Sequence, residues 1–220
     1  MTRFVLASVV ASSLASVASA GFTGFTAESS VNASGNTVYK IYANFDNVGL
    51  AAGQNWVFLN VFSHQTASGS MNAFHSGTGA GTWVPQGTST ASHVGNDSWV
   101  TATGTHVGSQ VALDPGFVEF DEYGEPIPGV DAQIPNGAGW YDATPGTANN
   151  VVNNKFMIMQ IVREGGAGDE YVASLQIGFK VNGTTTALFG QGSYTIGVPV
   201  PAPGAMALLG LAGLAGRRRR

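Results

Sequence analysis

Cysteine is absent from the 220 residues, so disulfides, thiolate metal sites and thiol chemistry are excluded and the fold must rest on packing and hydrogen bonds. Positive charge is nearly as scarce. Arg3 and the run Arg217, Arg218, Arg219 and Arg220 lie at the two ends; between them stand only Lys40, Lys155, Arg163 and Lys180 against all 13 acids, a balance of −9. No Lys or Arg occurs between Ile41 and Asn154, where Asp46, Asp97, Asp114, Glu119, Asp121, Glu122, Glu125, Asp131 and Asp142 all fall. Such a surface repels nucleic-acid phosphate and favours cations, basic partners or simple solubility. Lys, Glu and Leu are thin outside the tail, while 31 glycines and many Ser, Thr and Asn argue against helix and for β structure. Enzyme signatures are missing too: there is no Gly-x-Ser-x-Gly elbow, no His-Glu-x-x-His, no phosphate-binding Gly-x-x-x-x-Gly-Lys loop and no Gly-x-Gly-x-x-Gly after a strand. The glycines of His75–Gly81 lack a following helix and read as a loose loop.

What is present is clearest at the ends. Met1-Thr2-Arg3 supplies one positive charge, Phe4 to Val17 forms an apolar core, and Ala18-Ser19-Ala20 is an Ala-x-Ala cleavage site, so residues 1–20 read as a signal peptide with the mature chain starting at Gly21. Residues 199–220 join a Pro-broken linker to an apolar run and an arginine stop. Ala202 to Gly216 is fifteen residues, roughly 22 Å as a helix, against a hydrocarbon core of about 30 Å. That is short for a permanent span; a plain C-terminal membrane tail is the competing reading. Residues 21–198 are left as one domain, large enough for its own core.

The tail carries a family resemblance. Val200-Pro201-Ala202-Pro203, the Leu/Gly/Ala-rich run and the Arg cluster resemble the PEP-CTERM sorting signal, with Ala202 where the motif has Glu, as in the Val-Pro-Ala-Pro-Gly variant. The resemblance covers about a tenth of the chain. It implies export in a Gram-negative-type bacterium, transient membrane association through the tail, cleavage by an exosortase-like enzyme after signal peptidase has acted, and delivery to the outer envelope or extracellular matrix. The processing residues it implies are Pro201, Ala202 and Pro203 for recognition and Arg217, Arg218, Arg219 and Arg220 as the stop, beside Ala18 and Ala20 at the first cut. Asp97–Gly104 and Gly139-Trp140-Tyr141 also resemble segments of uncharacterised secreted all-β proteins bearing the same tail, planctomycete ones included, and imply no activity.

Within the domain, Thr37 to Phe45 alternates as a half-buried strand and Asp46-Asn47-Val48-Gly49 is its exit turn. Trp56 to Phe62 is apolar on both faces apart from Asn60, as a central strand should be. Met71–His75 and Thr82–Val84 are candidate short strands, and Asp97–Gly104 starts a clearer one. Asp114 to Asn154 shows five prolines and little periodicity and reads as a long connection. Lys155 to Arg163 is a buried strand, Glu164 to Asp169 a loop, and Tyr171 to Val181 a long strand with one dry face. Asn182-Gly183 is a hairpin turn returning the chain through Thr184 to Phe189, with Ser193 to Gly197 closing the sheet. Strands joined by short turns predict an antiparallel β-sandwich or jelly roll.

Three chemistries find residues suited to them. Six acids, Asp114, Glu119, Asp121, Glu122, Glu125 and Asp131, could with backbone carbonyls supply the oxygens calcium needs, against the simpler reading of a solvated acidic loop. His64, His75, His93 and His106 could make a zinc site or join a Ser and an Asp, yet their spacing asks for neither and exposed scattered imidazoles are expected. Trp83 and Trp140, beside Gly, Pro or Asn, are candidate platforms for an exopolysaccharide, whereas Trp56 belongs to the core. No catalytic residue, cofactor or metal ligand is assigned. The expected function is a non-enzymatic, structural or adhesive surface protein; a glycan- or calcium-binding module is the alternative, and a secreted hydrolase comes last.

Overall fold

The computed structural model describes residues 21–75, 83–84, 95–105, 111–117, 132–143, 149–166 and 168–197, which form an all-β architecture of two antiparallel sheets. The strands are β1 (Phe22–Val31), β2 (Thr37–Phe45), β3 (Trp56–Ser68), β4 (Trp99–Val100), β5 (Val111–Leu113), β6 (Trp140–Asp142), β7 (Lys155–Arg163), β8 (Tyr171–Val181) and β9 (Leu188–Ile196). One sheet has the order β1-β2-β7-β4 and the other β5-β6-β3-β8-β9. The expected strands β2, β7 and β8 stand at the boundaries their alternation sets, and β3 runs six residues past its apolar block.

Local chemistry explains the joints. Asn32 Oδ1 accepts the Ser34 and Asn36 amides at 3.0 and 2.9 Å, closing the turn from β1 to β2. Asp46 Oδ1 accepts the Val48 amide at 3.0 Å in the exit turn from β2. Gly183, at φ 76°, makes the β8–β9 hairpin, and the return is one continuous strand to Ile196 rather than two segments. Several expectations are corrected. β1 had no counterpart in the sequence reading. Met71–His75 is not a strand, although the Ala73 and Phe74 amides bond the Ala132 and Val162 carbonyls. Only Trp99–Val100 of the Asp97–Gly104 block is extended, and β6 lies inside the supposed long connection.

Rings from the two sheets meet between them. Phe58 of β3 stacks on Phe156 of β7 at 4.3 Å and 12°, and Phe179 of β8 meets Phe45 of β2 edge-on at 5.2 Å. Phe22, Trp56, Ile41, Ile161, Leu175 and Ile177 complete one continuous buried cluster. The inward positions of β3 and β8 are therefore apolar, and their alternate positions face away from it.

Two of the three bulges in β3 decide which side chains those are. The register against β8 slips between Phe58 and Asn60, and again between Phe62 and Gln65, where Ser63 takes φ 54°. Each slip reverses the facing of the residues after it. The first turns Asn60 outward with Val61 inward; the second turns His64, which strict alternation from Val61 would expose, into the interior.

Candidate functional site

His64 is fully buried, against the expectation of exposed imidazoles. Its Nε2 faces the hydroxyls of Tyr171 and Tyr194 at 3.3 and 3.4 Å, and Tyr171 Oη lies 3.1 Å from Thr66 Oγ1. Burial pushes His64 down to about 4 from an ordinary 6.5. The Pro135 carbonyl offsets this slightly, yet it lies outside hydrogen-bond geometry, since Nδ1 is buried without a partner among the described residues. Burial also raises both tyrosines, Tyr194 strongly.

Next to this cluster, buried Arg163 donates from Nε to the Met71 carbonyl at 2.7 Å, from Nη2 to Ser70 at 2.6 Å and from Nη1 to Asp169 at 2.7 Å. Burial lowers its pKa while the nearby tyrosines oppose that. The guanidinium fork clamps two loops to the end of β7, a structural task for a planar, multiply donating cation.

His75 sits 3.3 Å from Asp97, Nδ1 to Oδ1, with its ring edge-on to Trp83 at 4.6 Å. Ser98 follows Asp97, but its Oγ accepts the Val162 amide at 2.9 Å and faces the Val162 carbonyl, so it is spent on strand β7. The Ser98 hydroxyl is therefore committed to Val162 and not to the His75–Asp97 pair. His93 and His106 lie outside the described residues.

Of the six acids offered to calcium, only Asp114 is described. Its Oδ1 accepts the Gly116 amide at 3.0 Å at the head of the 3-10 turn Pro115–Phe117. Glu119, Asp121, Glu122, Glu125 and Asp131 lie outside the described residues, as do the processing residues Ala18, Ala20, Pro201, Ala202, Pro203, Arg217, Arg218, Arg219 and Arg220. Among the described residues no group of three or more acids or histidines is placed to hold a metal ion.

The tryptophan platform is corrected outright. Trp83 and Trp140 are as buried as Trp56 and Trp99. The Trp140 indole donates to the Thr101 carbonyl at 3.0 Å and the Trp56 indole to Asp46 at 2.6 Å, so the polar edge of each is satisfied inside. Flanking glycines made Trp140 look exposed, but Gly139 is there because a Cβ would strike the Val61 carbonyl of β3.

Exposed rings are found elsewhere, on the outward face of the five-stranded sheet. Tyr141 of β6 pairs with Asn60 of β3, Asn60 with Gly178 of β8, and Gly178 with Phe189 of β9, one row across four strands. The next row is Phe62, Gln176 and Gln191. Tyr141 and Phe189 are 46% and 60% exposed, and Phe62 meets Phe189 edge-on at 5.8 Å. These residues were missed because they are spread over four strands; the alternation of β8 places Gln176 and Gly178 off its dry face, but nothing in the sequence sets their neighbours.

Comparison with known proteins adds no relative: no family model, no curated protein and no solved structure matches the chain.

Proposed function

We propose that the chain is a non-enzymatic, exported surface or extracellular-matrix protein whose two sheets close as an antiparallel β-sandwich, with a structural or adhesive role. The observation that carries this reading is the tripartite tail of Pro201-Ala202-Pro203, fifteen small and apolar residues and four arginines, set against an Ala18-Ser19-Ala20 site at the other end. Signal peptidase and an exosortase-like enzyme are the partners it requires. The ring contacts between the sheets support the sandwich. The non-enzymatic reading is supported by the way His64, Ser98, Asp114 and Arg163 are consumed by internal contacts.

Mass spectrometry of the protein isolated from its native cell tests the reading. The expected product begins at Gly21 and lacks the four terminal arginines. Recovery of an intact, soluble chain retaining Met1 and Arg220 overturns it.

A further inference from the structure

We propose that the outward face of the five-stranded sheet, with Tyr141, Phe62 and Phe189 as stacking rings and Asn60, Gln176 and Gln191 as hydrogen-bonding amides, binds an uncharged polysaccharide chain. The reading specifies what an adhesive role would adhere to, but its residues and its test are independent of how the ends are processed.

The amides are the first argument. Several amides elsewhere in the described residues are spent on the fold: Asn44 on Thr26, Asn55 on Asn150, Asn149 on Asp142, Gln160 on the Asp97 carbonyl. Asn60, Gln176 and Gln191 make no side-chain hydrogen bond within the described residues. Each carries a carbonyl acceptor and two N–H donors, a match for vicinal hydroxyls that both donate and accept.

Their arrangement is the second. Gly178 has an ordinary backbone conformation; its lack of a side chain serves space, because a Cβ there would collide with Asn60 Oδ1. The Asn60 amide therefore lies down over β8 and keeps the row flat between Tyr141 and Phe189. Those two rings are three strand spacings apart, about 14 Å. That distance suits several consecutive sugar rings, whose C–H faces stack on aromatic faces while their edge hydroxyls reach the amides between.

Charge and area choose among occupants. A domain with a balance of −9 repels uronate or sulfated chains and nucleic acid, and the two phenylalanines and three amides of the face carry no titratable group. A second protein is poorly served: Tyr141 and Phe189 are the only strongly exposed large apolar side chains in these rows, with amides between them, whereas a stable interface buries roughly 800 Å² on each partner around an apolar centre.

The test uses the full chain in a non-glycosidic detergent, with hydroxyethylcellulose and mixed-linkage β-glucan as uncharged probes and alginate as the anionic one, followed by affinity electrophoresis and calorimetry. At least one uncharged probe is expected to bind. Tyr141→Ala and Phe189→Ala should each weaken that binding tenfold or more, the scale of a truncated anchor residue, with an unchanged melting temperature. Val31→Ala, exposed on β1 of the other sheet, should change nothing. Failure of both uncharged probes to bind, preference for alginate, insensitivity to the two ring truncations, or self-association in sedimentation that Phe189→Ala abolishes would each overturn the proposal. Failure here leaves the processing of the ends untouched, and intact ends would leave a positive binding result standing.

Discussion

Acidification should strike this fold through His64. The imidazole is fully buried against two tyrosine hydroxyls, and its pKa falls from 6.5 to about 4. The unfolded chain therefore takes up a proton below pH 6.5 that the folded chain refuses until about pH 4. The stability this group contributes is whole above pH 6.5, declines as pH falls from 6.5 to 4, and is flat below. At about 1.4 kcal/mol per pH unit the loss is about 3 kcal/mol, a large share of the 5–15 kcal/mol typical of a domain. Neither tyrosine ionises in that window, because burial raises both. Urea unfolding of the wild type and His64→Gln, at intervals between pH 7.5 and 4, isolates the effect, since every other ionisable group is common to both. Gln keeps an acceptor for the tyrosine hydroxyls but cannot be protonated. The gap between the two proteins should shift by about 3 kcal/mol in favour of His64→Gln on going to pH 4. A gap that stays constant with pH, or a His64 resonance titrating near 6.5, would refute the reasoning.

Other perturbations act through single contacts. Gly69 combines φ 78° with a Cβ direction blocked by the Glu170 carbonyl, so Gly69→Ala should cost about 3 kcal/mol or more, whereas Gly137→Ala, at φ 89° with open space, should cost about 1; guanidinium midpoints compare the two. Arg163→Met strands the Ser70, Met71 and Asp169 carbonyls and should lose about 3–5 kcal/mol, with Arg163→Lys restoring less than half because one ammonium cannot reach three acceptors laid out for a fork; chemical denaturation at neutral pH measures both. Phe58→Ala, which removes one ring of the stack joining the sheets, should cost about 3–5 kcal/mol by the same measurement. With all four indoles buried, emission should be blue-shifted and weakly quenched by acrylamide, and ready quenching would place a tryptophan outside.

How much of this could be read beforehand depends on how local the cause is. β2, β7 and β8 were legible end to end because their patterns are decided within nine to eleven consecutive residues and bounded by turn chemistry such as Asp46–Gly49 and Asn182–Gly183. β1 was not, since it alternates only as far as Ala27 and is then exposed through Val31; it owes its extended form to hydrogen bonds with β2. Trp83 and Trp140 misled because small neighbours look the same in sequence whether they leave an indole bare or let another strand approach it; Gly139 does the second, and only the Val61 carbonyl reveals it.

The bulges in β3 show the limit most plainly. Trp56–Phe62 is apolar enough to fix a central strand, but the side on which Asn60 and His64 emerge depends on one extra residue at each slip, and Ser63, at φ 54°, is not the glycine that would have marked one. With the second slip alone removed, His64 would meet water, where its pKa would return towards 6.5; with the first alone removed, Asn60 would point into the apolar interior and His64, which lies after both slips, would turn outward as well. The acid sensitivity and the amide row on the outer face thus depend on the same irregular strand. A variant straightened at Ser63 should keep the polysaccharide face while exposing His64 and losing the acid sensitivity, whereas one straightened at Leu59 should lose both; binding and pH-dependent unfolding, measured on the same two proteins, would tell them apart.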